Sequence, residues 1–463
     1  MRAIGRWIDE RLQLSALVTA FLDRPVPRQV GWFHTLGSAT LFLIVLQVVT
    51  GIALSLAYVP SPDHAYESIA FIDTMPLGAV VRGVHQWGAS LLVLVVGLHA
   101  LRVFAWAAYK YPRELNWVIG AFLFLVVLAF AFTGYLLPWD QKAYWATVVG
   151  TNIAGQAPLI GGAVLELLRG GQQLGAVTLA RFYGIHVWVL PAALIVLVAV
   201  HLFAVVRQGI AAPPRLVPLA QPMLGESRRA AYEREYAAEK HVGKPFYEAL
   251  LPDAIVALIL LAIVLAAAVI IGAPLEERAD PNAVGYVPRP DWYFLDLFQL
   301  LWYFTGELES LLIFGFLTVA ALVFVLVPFL DRNPARHPRN RPFALNLMGA
   351  TVVAVLGLTY VGATAAPSGL PVVPAVAGMS ADELAGLELF NAQGCTACHS
   401  VRGVGGSAGP ALPEPDAKWE AERVRRLIVS PEDEEMPAFD QLSPEELDRL
   451  VAFLLSLKPG SAP

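Results

Sequence analysis

The sequence predicts an all-α integral membrane protein: about seven transmembrane helices followed by a small α-helical domain. Three observations predict it. Of the 463 residues, 57% are hydrophobic and only 15% charged, where a soluble domain carries about a quarter charged. Seven stretches are apolar over the roughly 20 residues that a bilayer core requires. The only two cysteines, Cys395 and Cys398, lie beyond the last of those stretches, in "NAQGCTACHS".

The N-terminal segment, 1–34, is not a cleavable leader, because "RWIDERLQL" runs charges through its would-be apolar centre. Ile4, Trp7, Ile8 and Leu12 recur at helical spacing, which predicts a short amphipathic helix lying on the membrane surface. The expected spans then follow at about 36–58, 80–107, 115–137, 184–206, 252–272, 311–330 and 345–363. With the N-terminus cytoplasmic, the connections on that side hold 19 Lys and Arg against 5 on the other. This asymmetry sets the orientation. An odd number of spans places the C-terminal tail on the outer face, where bacteria join haem to thiols.

Two of the spans carry paired histidines. In "VVRGVHQWGASLLVLVVGLHALRVF", His85 and His99 are 14 residues apart; in "RFYGIHVWVLPAALIVLVAVHLFAVVR", His186 and His201 are 15 apart. At 100° per residue, 14 steps stop about 40° short of four turns and 15 overshoot by about 60°, so each pair keeps to one broad face, roughly 21 Å apart. Pro191 can bend the second helix to absorb the offset. Ionisable groups inside a bilayer are costly and usually functional. One such histidine reads equally well as a hydrogen bond to a neighbouring helix. Four at two matched depths read as two bis-histidine haem sites, His85 with His186 and His99 with His201. Gly37 and Gly51 in the first span, and Gly120 and Gly134 in the third, repeat the 14-residue interval. They read as room cleared for two flat macrocycles, or as simple close-packing contacts. Arg82, one turn from His85, reads as a propionate partner or an interfacial anchor.

After the fifth span, "YVPRPDWYFLDLF" puts Asp291 and Tyr293 at the outer membrane edge. A carboxylate and a phenol beside an apolar pocket suit deprotonation of a quinol; an aromatic belt with a turn is the simpler alternative. Residues 364–380 are an Ala/Pro/Gly linker extending about 3 Å per residue. The tail from 364 onward holds 15 Asp and Glu against 7 Lys and Arg. Cys-x-x-Cys-His reads as c-type haem attachment, with Cys395 and Cys398 as thioethers and His399 as proximal ligand. Zinc or redox chemistry is the rival reading. Met436 is the one methionine beyond the motif and the expected distal ligand. "AGPAL", ending at Leu412, is a candidate for the loop on the proximal side.

The chain resembles cytochrome b of the quinol:cytochrome c oxidoreductases, the bc and bf complexes. The residues that carry this are "DERLQL", "LQVVTG", "VRGVHQWGAS", "YPRELNWVIG", "TGYLLPWDQKAYWA", "HLFAVVRQGI", "RPDWYF" and "PFLDRNPARHPRNRP", spread over about residues 5 to 360. Asp140 in "LPWDQ", the 15-residue histidine interval and the seven spans resemble the bf branch, with its two subunits joined end to end. The resemblance implies a four-helix di-haem unit over 35–210 and a three-helix unit over 211–363, with 381–463 as an added cytochrome c domain. It implies quinol oxidation at an outer site with Asp291 as proton acceptor and Tyr293 beside it. One electron would go to a separate Rieske iron–sulfur protein, since this chain has no further cysteines for a cluster. The other would cross through the two b haems to an inner quinone site near Arg207. Asp in place of the commoner Glu at 291 points to menaquinol. Thr35 stands where the bf branch has a cysteine for an extra haem, so no covalently attached third haem is expected in the membrane. The expected role of the tail is a tethered acceptor from the Rieske protein, itself serving a soluble or membrane-attached cytochrome. A homodimeric complex in the bacterial cytoplasmic membrane is expected, with lipid around it and no nucleic-acid partner. A haem-carrying anchor that only conducts electrons for another enzyme is the competing reading, and a transporter with incidental histidines the remote one.

Overall fold

The computed structural model describes residues 2–457 apart from 156, 158, 172, 217–221, 240–241, 282–285, 287–288, 305–314, 365–371, 377, 407–408, 414–419, 432–435 and 437. Two short helices, α1 (Arg2–Leu12) and α2 (Leu14–Leu22), come first, with Gln13 between them in the left-handed region at φ 49°. Ile4, Trp7, Leu12 and Leu17 are exposed along them, as a helix lying on a lipid surface requires. The bundle follows: α3 (Leu36–Ser55), α4 (Ala65–Thr74), α5 (Gly78–Ala105), α6 (Glu114–Tyr135), α7 (Gln141–Gly155), α8 (Gly161–Arg169), α9 (Ala176–Gly184) and α10 (Leu190–Gln208). Then come α11 (Arg228–Glu239), α12 (Leu250–Ile270), α13 (Leu295–Trp302), α14 (Thr318–Leu330) and α15 (Pro342–Thr364).

Among the described residues, six helical stretches are long and apolar enough to cross a membrane: Leu36–Ser55, Gly78–Ala105, Glu114–Tyr135, Ala176–Gln208, Phe246–Ile270 and Pro342–Thr364. The expected span at 311–330 is described only from Gly315, as an apolar helix to Leu330; its first residues lie outside the described ones. Between the spans, α4, α7 and α8 are helices too short to cross. Two of the connections on the face opposite the N-terminus thus carry helices of their own, α4 in one and α7 and α8 in the other.

The interior of the bundle is a contiguous apolar cluster in which Leu43 of α3, Val84, Leu92 and Val96 of α5, Val127 of α6 and Val264 of α12 are buried. Helix α3 packs on α5, and both touch α12; α6 packs on α10 and α14. Between α9 and α10 the chain makes a π turn, Ile185–Val189, in which the Leu190 N–H donates to the Ile185 carbonyl. Pro191 follows directly and has no N–H to offer the Val187 carbonyl. A π turn takes up one extra residue. The 15-residue histidine interval of this helix is thereby matched to the 14-residue interval of α5 by an inserted residue, directly before Pro191.

Near the N-terminal face, a polar knot joins the second and third spans to the last two. The wholly buried Arg341 donates to the carbonyls of Phe104 (2.9 Å) and Ala105 (3.3 Å), to the Tyr109 hydroxyl (2.6 Å) and to Asp331 (3.0 Å). Tyr109 donates to the same carboxylate at 2.5 Å, and Lys110 stands 3.2 Å from it. Burial pushes the Asp331 carboxyl up, but the Tyr109 hydrogen bond and the charges of Lys110 and Arg341 outweigh that and hold it below the usual carboxylate range. Its stabilisation is complete above about pH 4 and is lost as pH falls through the lowered folded-state value. Asp331→Ala leaves the Arg341 guanidinium buried without its carboxylate and is expected to cost about 3–5 kcal/mol. The thermal midpoint in detergent should drop accordingly, and the wild-type midpoint should fall in acid below about pH 4.

The C-terminal unit is a separate three-helix core of α16 (Ala381–Ala392), α17 (Ala421–Val429) and α18 (Pro444–Ser456). Ser380 and Ser443 cap α16 and α18, each closing a box with a glutamate three residues on. Phe390 and Phe453 meet at 5.3 Å in a core with Leu387, Val401, Ile428 and Leu450. Gly386 lets α16 and α18 touch: a Cβ there would lie 2.0 Å from the Arg449 carbonyl oxygen. Asn391 holds the end of the linker, accepting from the Val373 N–H (2.9 Å) and donating to its carbonyl (3.1 Å).

Candidate functional site

Each of the four intramembrane histidines rests on one of the four glycines. An ideal Cβ on Gly51 would lie 3.2 Å from Cε1 of His85, and on Gly37 3.3 Å from Cε1 of His99. On α6, Gly120 faces His201 at 3.3 Å and Gly134 faces His186 at 2.6 Å. The bundle is thus two half-bundles, α3 with α5 and α6 with α10, each presenting two imidazoles inward. The glycines clear room for the imidazole rings directly.

The ring centres of His85 and His186 are 6.5 Å apart. Two imidazoles sharing one metal at about 2 Å from each nitrogen have centres about 6 Å apart, so this separation admits an iron. Tautomer points the same way. Thr50 gives its hydroxyl proton to the Leu46 carbonyl (2.7 Å), so its oxygen accepts from His85 Nδ1 at 2.9 Å. Thr133 does likewise, donating to Ala129 (2.8 Å) and facing His186 Nδ1 at 3.1 Å. With Nδ1 protonated, Nε2 keeps its lone pair for a metal. At the other depth, His99 Nδ1 and Arg102 Nε, one turn apart, are buried without a hydrogen-bond partner among the described residues, and His201 Nδ1 has at most the Asn116 carbonyl beside it. Arg102 and His201 are the ionisable neighbours of His99. A bis-histidine haem with its propionates fits these side chains.

Arg82 is committed elsewhere. It clasps Asp73 at 2.7 and 2.6 Å and donates to the Ala273 and Pro274 carbonyls. Arg102 is the arginine left beside a histidine pair. Arg207 is exposed on the last turn of α10. The cleft near it is lined instead by Arg113, Gln208, Tyr232, Tyr236 and Arg336. The Thr35 hydroxyl donates to the Trp32 carbonyl at 2.7 Å.

At the opposite face, three segments distant in sequence converge. The "LPWDQ" stretch zips to the connection after α12: the Gln141 N–H donates to Glu277 and the Ala279 N–H to Trp139. Asp140, 7% exposed, accepts from the Ala143 and Glu276 N–H groups, and burial raises its pKa. Next to it, Lys142 Nζ pairs with Asp291 at 2.7 Å, and the Tyr293 hydroxyl donates to the other oxygen at 3.1 Å. Burial first, and the Asp291 charge second, push the Tyr293 phenol well above its usual value. It therefore stays a donor throughout the physiological range. The Tyr135 hydroxyl, at the end of α6, is buried with no hydrogen-bond partner among the described residues, and Lys142 lies over its ring. Asp291, Tyr293, Lys142 and Tyr135 thus make one polar cluster in an apolar wall.

In the C-terminal unit, Cys395 and Cys398 are half-buried on a 3₁₀ turn, and the His399 N–H donates to the Cys395 carbonyl at 2.9 Å. His399 Nδ1 meets the Pro410 carbonyl at 2.9 Å, inside "AGPAL". A carbonyl only accepts, so Nδ1 carries the proton and Nε2 is left for a metal. Gly409 gives that ring its space: a Cβ there would lie 2.8 Å from Cε1. Met436 packs, partly buried, against the core; the residues on either side of it lie outside the described ones.

Sequence reasoning had no role for Thr50, Thr133, Lys142, Tyr135 or Arg102. A signal for the first two was present, since Gly51 and Gly134 each follow a threonine while Gly37 follows Leu36 and Gly120 follows Ile119.

An all-α bundle with paired imidazoles at two depths, joined to a Cys-x-x-Cys-His unit, defines a membrane-embedded cytochrome. Residues 21–209 match the family described as cytochrome b/b6/petB, residues 278–379 cytochrome b(C-terminal)/b6/petD, and residues 381–454 cytochrome C oxidase, cbb3-type, subunit III. The menaquinol:cytochrome c reductase cytochrome b subunit of Geobacillus thermodenitrificans is 46% identical over 216 residues, 45% of this chain and 96% of that protein. The cytochrome bc complex cytochrome b subunit of Chlorobaculum thiosulfatiphilum is 34% identical over 359 residues, 76% of this chain and 79% of that protein. A solved structure titled hyperthermophilic respiratory Complex III shares the fold, with a TM-score of 0.61 at 24% identity, over 84% of this chain and 95% of that one. The chain belongs to the cytochrome b family, and it carries a C-terminal cytochrome c domain.

Proposed function

We propose that this chain is the membrane core of a quinol:cytochrome c oxidoreductase. The observation that carries the reading is the set of four inward imidazoles, two per half-bundle, each seated on its own glycine. His85 with His186 and His99 with His201 would hold two b haems. Bound haem supplies one-electron transfer between the two depths of the bilayer. The remaining work falls to side chains. Asp291 accepts a proton from the quinol hydroxyl, after exchanging its Lys142 contact for the substrate. Tyr293 orients that carboxylate, and the unpartnered Tyr135 hydroxyl is a hydrogen-bonding group for the quinol. Menaquinol is the expected substrate. Arg102 is the propionate partner at the inner pair, and Arg207 stands near the inner quinone site.

A separate Rieske protein would take one of the two electrons, and Cys395, Cys398, His399 and Met436 would hold a covalent haem able to receive it. The N-terminus is cytoplasmic, the C-terminal unit lies on the outer face, and the complex is a homodimer in the bacterial cytoplasmic membrane. The linker holds the tail near its donor at an effective concentration of about millimolar, and its acidic surface steers a basic carrier.

A pyridine haemochrome spectrum of the purified chain should give b and c haem in a ratio of about two to one. Menaquinol should reduce the b haems, and inhibitors of the outer site should block that. Truncation after residue 370 should leave the b haems in place and stop delivery to an external cytochrome; unchanged delivery would remove the tail from the pathway.

A further inference from the structure

We propose that Thr50 and Thr133 are positioning residues that set the reduction potential of the His85/His186 haem below that of the His99/His201 haem. This rests on the bis-histidine reading above and deepens it. The two threonines occupy equivalent places in the two half-bundles, each one residue before the glycine that seats its histidine. Each spends its hydroxyl proton on the carbonyl four residues back, Leu46 or Ala129. Each oxygen can therefore only accept from Nδ1–H, at 2.9 Å for His85 and 3.1 Å for His186.

The other pair has nothing comparable. Leu36 and Ile119 stand at the matching positions, and among the described residues no side-chain hydroxyl reaches the buried Nδ1 atoms of His99 and His201. The Asn116 carbonyl is an acceptor beside His201, a poorer contact than either threonine hydroxyl makes with its histidine.

An imidazole that donates its Nδ1–H to an acceptor becomes a more basic ligand at Nε2. A more basic ligand favours the ferric state, and hydrogen bonding of this kind is one of the levers a protein has on a haem potential. In a low-dielectric bundle the effect is not diluted by water. Two hydroxyl acceptors face the His85/His186 pair, and the matching positions of the other pair carry none. Haems bound at the two pairs would exchange one electron, and the two threonines would bias that exchange by favouring the ferric state at the His85/His186 site. Thr50 and Thr133 keep the Nδ1 protons of His85 and His186 in place, so no proton need move with that electron.

The test is potentiometry of the b haems in the purified full chain, followed by visible spectra. Thr50→Val and Thr133→Val should each shift one b component upward, additively in the double variant, and leave the other unmoved. Thr50→Ser and Thr133→Ser should restore the original value, which loss of packing alone would not predict. Leu36→Thr with Ile119→Thr should lower the second component. That arm decides the matter should the valine variants fail to assemble. A double valine variant that keeps both haems and both potentials would overturn the proposal, as would a second component indifferent to the added hydroxyls. Wild-type protein lacking bis-histidine b haems would instead overturn the reading of the site.

Discussion

Gly134→Ala is expected to cost the protein the haem of the His85/His186 pair, and with it all quinol-driven reduction of an external acceptor. The added Cβ would lie 2.6 Å from Cε1 of His186, 3.1 Å from Nδ1 and 3.2 Å from Nε2. The whole ring has to move, because the closest of these separations is too short for a real Cβ. Overpacking of this kind costs about 1–3 kcal/mol in stability, which a bundle of this size survives. The ligand geometry does not survive it. Moving the ring breaks its bond to Thr133 and changes the 6.5 Å spacing to His85. At Gly37, Gly51 and Gly120 the same methyl meets Cε1 at 3.2–3.3 Å, where a small displacement suffices. Those three alanine variants should keep both b haems with altered spectra, while Gly134→Ala retains about half the b haem and all of the c haem. Full b haem content in the Gly134 variant would contradict the placement of His186.

Asp291→Asn is expected to lower quinol turnover by about 10²–10⁴-fold, the usual contribution of a positioned proton acceptor. The variant keeps the size of the side chain and the partner of Tyr293, so haem content and stability should stay as they are. Tyr293→Phe removes one donor to that carboxylate and should cost far less, about tenfold or under. Rapid-mixing reduction of the b haems by a menaquinol analogue separates this step from downstream transfer. Equal rates in the wild type and Asp291→Asn would dismiss the carboxylate as the acceptor. A role for Lys142 follows from the same geometry, since its ammonium now holds the oxygen that a quinol hydroxyl must approach.

The chemistry was more legible than its supports. Histidines stand out in apolar helices because burying them is costly, and their spacing translates directly into depth along a helix of known rise. Cys-x-x-Cys-His is contiguous, so no folding is needed to read it. The polar partners are different. Lys142 meets Asp291 across 149 positions, and Arg341 meets Tyr109 across 232. No periodicity links such residues. Arg82 looked like a propionate ligand from its place one turn before His85, yet Asp73, nine residues earlier, claims it. Position on a helix says which face a side chain occupies, and not which neighbour arrives first.

By itself, the sequence determined what depends on local composition: the apolar spans, from the cost of unpaired backbone and charge in lipid, and the intervals between the histidines and between the cysteines; the Lys and Arg counts set an expected orientation. Only the tertiary structure decided how a 15-residue interval comes level with a 14-residue one, which it does through the π turn before Pro191. It also decided which histidines receive a threonine and which do not, because a hydrogen bond between helices exists only once two particular faces have been packed together.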